Sequence, residues 1–164
     1  MRYLLIDKIK KIVCNEQITA IKNVALSEDV FTDHFIGYPV MPGAMLIEAA
    51  AQASTALLEV SADFKVKALL TIVDKAKFRK LVRPGDRLLI NVKIISMQSD
   101  SAMLDCEIKV DDNAVMNGRL VFSLRPADEF YPPKTRAFIE SVYDYWLEGA
   151  ERTGFEAGEE TDHE

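Results

Sequence analysis

Two side chains of this sequence are suited to move protons on and off a substrate, and both lie in one short stretch. His34 and His163 are the only histidines. His163 falls in an acidic C-terminal run, so histidine chemistry rests on His34, whose loop also holds Phe35, Val40 and Met41. An imidazole titrates near pH ~6.5 and suits proton abstraction around neutrality. A lone loop histidine also serves structure alone, or is simply exposed. Glu48 is the second group. It interrupts an apolar run over residues 44–60, whose first four turns offer only Glu48, Gln52, Ser54 and Thr55 as polar residues. Burial of a carboxylate favours its neutral form, and a neutral carboxylic acid can donate a proton. Gln52, one helical turn further on, reaches the same side and is placed to orient it. The alternative is a structural carboxylate paired with a buried base or a backbone amide.

Gly43 supplies a third part. It stands where that helix begins, and the first N–H groups of a helix have no helical partner. Those donors and the positive end of the helix dipole suit a thioester carbonyl that gains negative charge. Glycine also lets a ligand approach the backbone. Taken alone, Pro42-Gly43 is equally a plain turn.

The elements that must hold these groups follow from periodicity. Residues 4–13 read as a short amphipathic helix and residues 16–26 as a strand with β-leaning alternation. Residues 27–42 form a loop punctuated by Gly37, Pro39 and Pro42. Residues 44–60 form the clearest helix, with proline near its start. Strands are predicted over 67–78, 88–97, 102–110 and 114–124. Asp111, Asp112 and Asn113 make the tight link of a hairpin between the last two. Thr135 then caps a terminal helix over 135–147, within a helical extension of about 135–149. The fold class is α+β, with one sheet and one dominant helix. Because that helix is apolar nearly all round, it is expected to be buried on all sides by a curved sheet.

Composition narrows the function. The 164 residues fit one domain, taken as residues 1–150. Net charge is −6, but residues 151–164 hold six acids (Glu151, Glu156, Glu159, Glu160, Asp162, Glu164) and one base, Arg152. That leaves 20 acids against 19 bases in the body, too balanced for a nucleic-acid surface. The tail over 151–164 is expected to be disordered. No apolar run is long enough for a membrane span, and the N-terminus does not read as a secretory signal. Cys14 and Cys106 share no motif, consistent with core thiols in a reducing cytoplasm.

The parts converge in His34-Phe-Ile-Gly-Tyr-Pro-Val-Met-Pro-Gly43-Ala-Met-Leu-Ile-Glu48-Ala-Ala-Ala-Gln52-Ala. This stretch resembles the signature of the hot-dog-fold 3-hydroxyacyl-[acyl carrier protein] dehydratases of FabZ type. Val73-Asp-Lys-Ala-Lys-Phe-Arg79 and Val82-Arg-Pro-Gly-Asp86 resemble later segments of the family, and the likeness runs from about residue 5 to residue 124. It implies a hydro-lyase of fatty acid biosynthesis that forms a trans-2-enoyl product. By the resemblance His34 is the base, Glu48 the acid, Gly43 the donor to the thioester carbonyl and Gln52 a support. Val40 is the residue whose carbonyl sets the histidine tautomer. The histidine and the carboxylate are expected to meet across a dimer interface, in a dimer or a trimer of dimers. Glutamate at position 48, rather than aspartate, favours dehydration without isomerisation. Ile36 stands where proline is usual, and Tyr38 where a charged or polar residue is frequent.

The resemblance also implies a partner, acyl carrier protein, which is acidic and carries the substrate on phosphopantetheine. Lys75, Lys77, Arg79, Lys80 and Arg83, with Arg87, form the densest basic stretch of the body and are the docking candidates. An ordinary solvated strand face is the alternative. No metal or organic cofactor is expected, and no Cys/His/Asp cluster has ligand spacing. Three other readings stay open: an acyl-thioester hydrolase of the same fold, a dehydratase of a specialised lipid or polyketide pathway, and a non-catalytic acyl-binding relative.

Overall fold

Alternating apolar residues set much of the chain into strands, and the structure, a computed structural model, describes residues 3–155. The strands are β1 (Lys8–Val13), β2 (Gln17–Asn23), β3 (Val66–Phe78), β4 (Arg87–Met97), β5 (Ser101–Val110), β6 (Asn113–Pro126) and β7 (Glu151–Thr153). The helices are α1 (Gly43–Ser61) and α2 (Pro133–Leu147). One sheet runs in the order β3-β6-β5-β4-β2-β1-β7. All pairs are antiparallel except β1 with β7. Helix α1 lies across β2 to β6. No helix among the described residues is long and apolar enough to cross a membrane.

Residues 4–13 hold no helix, although one was expected there: residues 8–13 form β1 and residues 4–7 lead into it without regular structure. The buried residues Ile6, Ile9 and Ile12 are spaced by three, which imitates a helical stripe. A register shift between Ile9 and Lys11 produces that spacing within β1, because a bulge inserts one residue into strict alternation. The β-branched content of the segment agrees with a strand. The hairpin between β5 and β6 pairs Val110 with Asn113. Asp111 and Asp112 adopt φ of 46° and 62°, a left-handed pair that aspartate tolerates better than most residues.

Helix α1 is not enclosed on every side within one chain. Ala49, Ala50, Ala53, Ala56 and Leu57 are fully buried, and the small alanine side chains let the sheet come close. Ala44, by contrast, is exposed, and Ile47, Glu48, Gln52 and Thr55 are half-buried, so one stripe of the helix stays open. The carboxylate truly sunk in the fold is Glu59, 1% exposed. Its Oε1 accepts from Lys67 Nζ at 2.8 Å and from Ala68 N at 3.1 Å, and its Oε2 accepts from the Tyr143 hydroxyl at 2.8 Å. Burial and the neighbouring Glu59 carboxylate both push the Tyr143 phenol well above its ordinary range. Burial works against the Lys67 ammonium, but Glu59 and Tyr131 outweigh it and raise its pKa.

That cluster seats the C-terminal extension. Tyr143, Trp146 and Leu147 of α2 are buried, and Tyr143 packs against Trp146 at a ring distance of 5.3 Å. Helix α2 begins at Pro133 with Pro132 as its cap, so Thr135 lies inside the helix and does not cap it. Past α2 the chain forms β7 beside β1, and Glu151 pairs with Lys11 at 2.9 Å. The acidic tail therefore starts later than expected: residues 151–155 belong to the fold, and residues 156–164 lie outside the described residues.

Candidate active site

His34 sits in a loop closed by its own backbone. Val40 N–H donates to His34 O at 2.9 Å, and Phe35 and Tyr38 exchange hydrogen bonds of 3.2 and 2.9 Å. Gly37 makes the tip with φ of +75°, a conformation open to a residue without Cβ. Ile36, 87% exposed, precedes it at a turn position where proline fits readily, and isoleucine keeps the turn. Tyr38 is stacked under the Arg83 guanidinium, 4.4 Å from ring centre to Cζ. Both departures from the expected pattern thus leave the loop intact.

Among the described residues the half-buried His34 ring has one polar contact, Nδ1 to Val40 O at 2.8 Å. A carbonyl only accepts, so Nδ1 carries the hydrogen in the neutral ring and Nε2 keeps its lone pair. Phe35 stacks on the imidazole at 4.2 Å. The His34–Phe35 peptide is cis.

Gly43 is the first residue of α1. The N–H groups of Met45 and Leu46 turn back to Pro42 O at 3.0 and 3.3 Å, while the Gly43 N–H bonds to no described residue. The Phe78 ring, at the end of β3, lies directly against Gly43. A Cβ added there would stand 2.8 Å from Phe78 Cζ, closer than real contacts allow. Glycine therefore serves two ends here, an unpaired donor and room for an aromatic wall. Phe78 escaped the sequence analysis because it sat among cations and read as one member of a polar strand.

Glu48 lies on the open stripe of α1, about one turn before the helix midpoint. Its described hydrogen-bond partner is Gln52, whose Nε2 donates to Oε1 at 2.9 Å. Within one chain His34 and Glu48 neither bond each other nor share a partner among the described residues. A cleft of about 920 Å³ opens at the start of α1, walled by Tyr3, Leu4, Leu5, Pro42, Ala44 and Met45.

The basic candidates divide. Lys75 and Lys77 of β3 and Arg79, the residue after its end, line a groove of about 490 Å³ on the sheet's outer face, together with Lys93 and Arg119. Arg119 grips Asp105 through both oxygens, at 2.6 and 3.0 Å. That hydrogen-bonded pairing holds the Asp105 carboxyl below its ordinary range. Lys80 instead reaches Asn113 at 3.0 Å, and Arg83 is taken by Tyr38. Glu59 was missed as a buried group because a carboxylate in a last helical turn reads as a solvated end. Its apolar neighbours Leu57, Leu58 and Val60 were the available signal.

Comparison with known proteins shows the family to which this fold belongs. The family model of the FabA-like domain matches residues 1–119. A 3-hydroxyacyl-[acyl-carrier-protein] dehydratase FabZ of Lactobacillus helveticus is 39% identical over 120 residues, covering 73% of this chain and 81% of that protein. The FabZ of Enterococcus faecalis is 37% identical over 123 residues, covering 74% of this chain and 87% of its own. Among solved structures, a Streptococcus mutans protein bound to acetyl-CoA superposes with a TM-score of 0.59 at 13% identity, covering 73% of this chain and 88% of its own. The dehydratase heterocomplex ApeI:P of Xenorhabdus doucetiae does so at 0.53 and 16%, covering 66% and 88%. At such identities these two report the shared hot-dog fold. On the family model and the FabZ relatives together, the chain belongs to the FabA-like family of 3-hydroxyacyl-[acyl-carrier-protein] dehydratases.

Proposed function

We propose that this chain removes water from a 3-hydroxyacyl thioester carried by acyl carrier protein, giving the trans-2-enoyl thioester of fatty acid biosynthesis. His34 Nε2 takes the proton α to the thioester carbonyl. The Gly43 N–H receives the negative charge that grows on the carbonyl oxygen. Glu48 gives a proton to the 3-hydroxyl, which departs as water. The observation that carries this reading is the bond from His34 Nδ1 to Val40 O, which leaves Nε2 free to act as a base. The FabZ relatives support the substrate class. The reading needs no metal or organic cofactor, and a cytoplasmic location goes with it.

Among the described residues His34 and Glu48 make no hydrogen bond to each other, which supports a site completed by a second copy. Strand β3 supports the same view: it pairs with β6 on one side, while Leu70, Ile72 and Val73 stay 37–54% exposed. A dimer through this edge, alone or in a trimer of dimers, is the assembly that fits. The groove of Lys75, Lys77, Arg79, Lys93 and Arg119 is the surface that suits an acidic carrier.

The test is enoyl absorbance from a short 3-hydroxyacyl thioester, with free thiol followed in parallel. His34→Ala and Glu48→Gln should each lose about 10²–10⁴-fold in kcat. Free thiol without enoyl product would overturn the reading in favour of a thioester hydrolase.

A further inference from the structure

The carboxamide of Gln52 is read by main-chain atoms from the far end of the chain. Its Oε1 accepts from Leu5 N at 2.8 Å, and its Nε2 donates to Tyr3 O at 2.8 Å. An amide N–H can only donate and a carbonyl can only accept, so these contacts admit one orientation of the carboxamide. The flipped amide would set its NH2 against the Leu5 N–H and its oxygen against the Tyr3 carbonyl. The second Nε2 hydrogen is thereby aimed at Glu48 Oε1, 2.9 Å away.

The segment that does this is itself pinned. Leu5 and Ile6 are 3% and 2% exposed. Asp7 N donates to Ile21 O at 2.8 Å, and its Oδ2 accepts from Asn23 N at 2.6 Å. Tyr3, Leu4, Leu5 and Asp7 also wall the cleft at the start of α1.

Resting on the reading of Glu48 as the acid, we propose that the backbone of residues 3–5, acting through Gln52, fixes which oxygen of Glu48 carries the transferable proton. Oε1 is committed as acceptor of the Gln52 N–H. The neutral acid therefore bears its hydrogen on Oε2, and the proton is delivered from that side. Gln52 is a positioning residue, and the segment before β1 orients it. Neither needs to touch the reacting atoms.

The experiment uses full-length protein with a backbone ester at position 5, where the α-hydroxy analogue of leucine replaces Leu5. This deletes the N–H and keeps the side chain. Gln52→Leu is the second variant, and Glu48→Gln the reference. For each, kcat and KM are measured on a short 3-hydroxyacyl thioester, alongside the melting temperature. The ester should lower kcat about tenfold with KM nearly unchanged. Gln52→Leu should do the same, because the acid loses the contact that orients it. Unchanged kcat in both variants, with Glu48→Gln inactive, overturns the positioning role and leaves the acid assignment standing. A lowered melting temperature with kcat unchanged also overturns it, since that is a structural role only. Wild-type turnover in Glu48→Gln overturns the acid assignment itself.

Discussion

The Tyr143 hydroxyl donates a 2.8 Å hydrogen bond to Glu59 Oε2, joining two residues 84 positions apart. It ties the last turn of the central helix to a helix beyond the stretch matched by the family model. The bond is buried and its acceptor sits beside Lys67, so each partner depends on the others.

Tyr143→Phe should destabilise the fold at pH 7 by about 1.5–3 kcal/mol, the range for a hydrogen bond to a charged group. The difference should shrink in alkali. The folded-state pKa values of Tyr143 and Lys67 are both raised, so the folded protein holds their protons longer than the unfolded chain does. Their contribution is complete below about pH 10 and is lost as pH rises beyond it. Urea midpoints of wild type and variant between pH 7 and 11 check both statements.

Glu59→Leu should cost more than the tyrosine change, about 3–5 kcal/mol, because it strands the Lys67 ammonium beside an apolar core. Glu59→Leu with Lys67→Met should recover a large share of that loss. Melting curves of the single and double variants decide it. Full additivity would mean that the ion pair is not what holds this corner.

Gly43→Ala should push the Phe78 ring away from the helix start, since the new Cβ would lie 2.8 Å from Cζ. Stability should change little, because alanine favours the helix by about 1 kcal/mol over glycine and the ring tip can move. The measurable loss should be in kcat/KM. Gly43→Ala with Phe78→Ala should show a coupling, with the second change less harmful in the first background than alone.

Cys106 should resist alkylation in the native protein. Burial, then the nearby Asp105 charge, push its thiol up to about 11, so about one thiol in a thousand is ionised at pH 8. Cys14 is only half-buried. Mass spectrometry after iodoacetamide at pH 8 should find a single adduct on Cys14, and a second one only in denaturant.

Reversing the groove, with Lys75→Glu and Lys77→Glu together, should raise KM for carrier-bound substrate at least tenfold at low salt, about 1.4 kcal/mol. It should leave KM for a small pantetheine thioester near wild type. Equal losses on both substrates would place the carrier elsewhere.

Helix α1 was legible because Pro42-Gly43 marks its start and its alanines allow close approach on several sides. The strand hairpins were legible because their turn residues are local. What stayed hidden depends on contacts far along the chain. The bulge in β1 turned alternation into a helical spacing, and only pairing with β2 reveals it. Strand β7 was absorbed into the acidic tail, since three residues carry no period of their own and Lys11 supplies the charge that seats Glu151. His34, Gly43, Glu48 and Gln52 stood out by type and spacing. Phe78, and the backbone atoms of Tyr3 and Leu5 beside them, carried no such mark.

Strand β7 is only three residues long, and all three are exposed. It covers the β1 side of the sheet with a stub that bears Glu151 and Arg152, poor ground for a further strand. At the opposite end β3 is 13 residues long and, among the described strands, pairs with β6 alone. Growth by strand addition is thus available in one direction only. The proposed dimer, two such sheets joined head to head, would stop there, whereas a sheet with two usable ends would go on adding copies into a fibre.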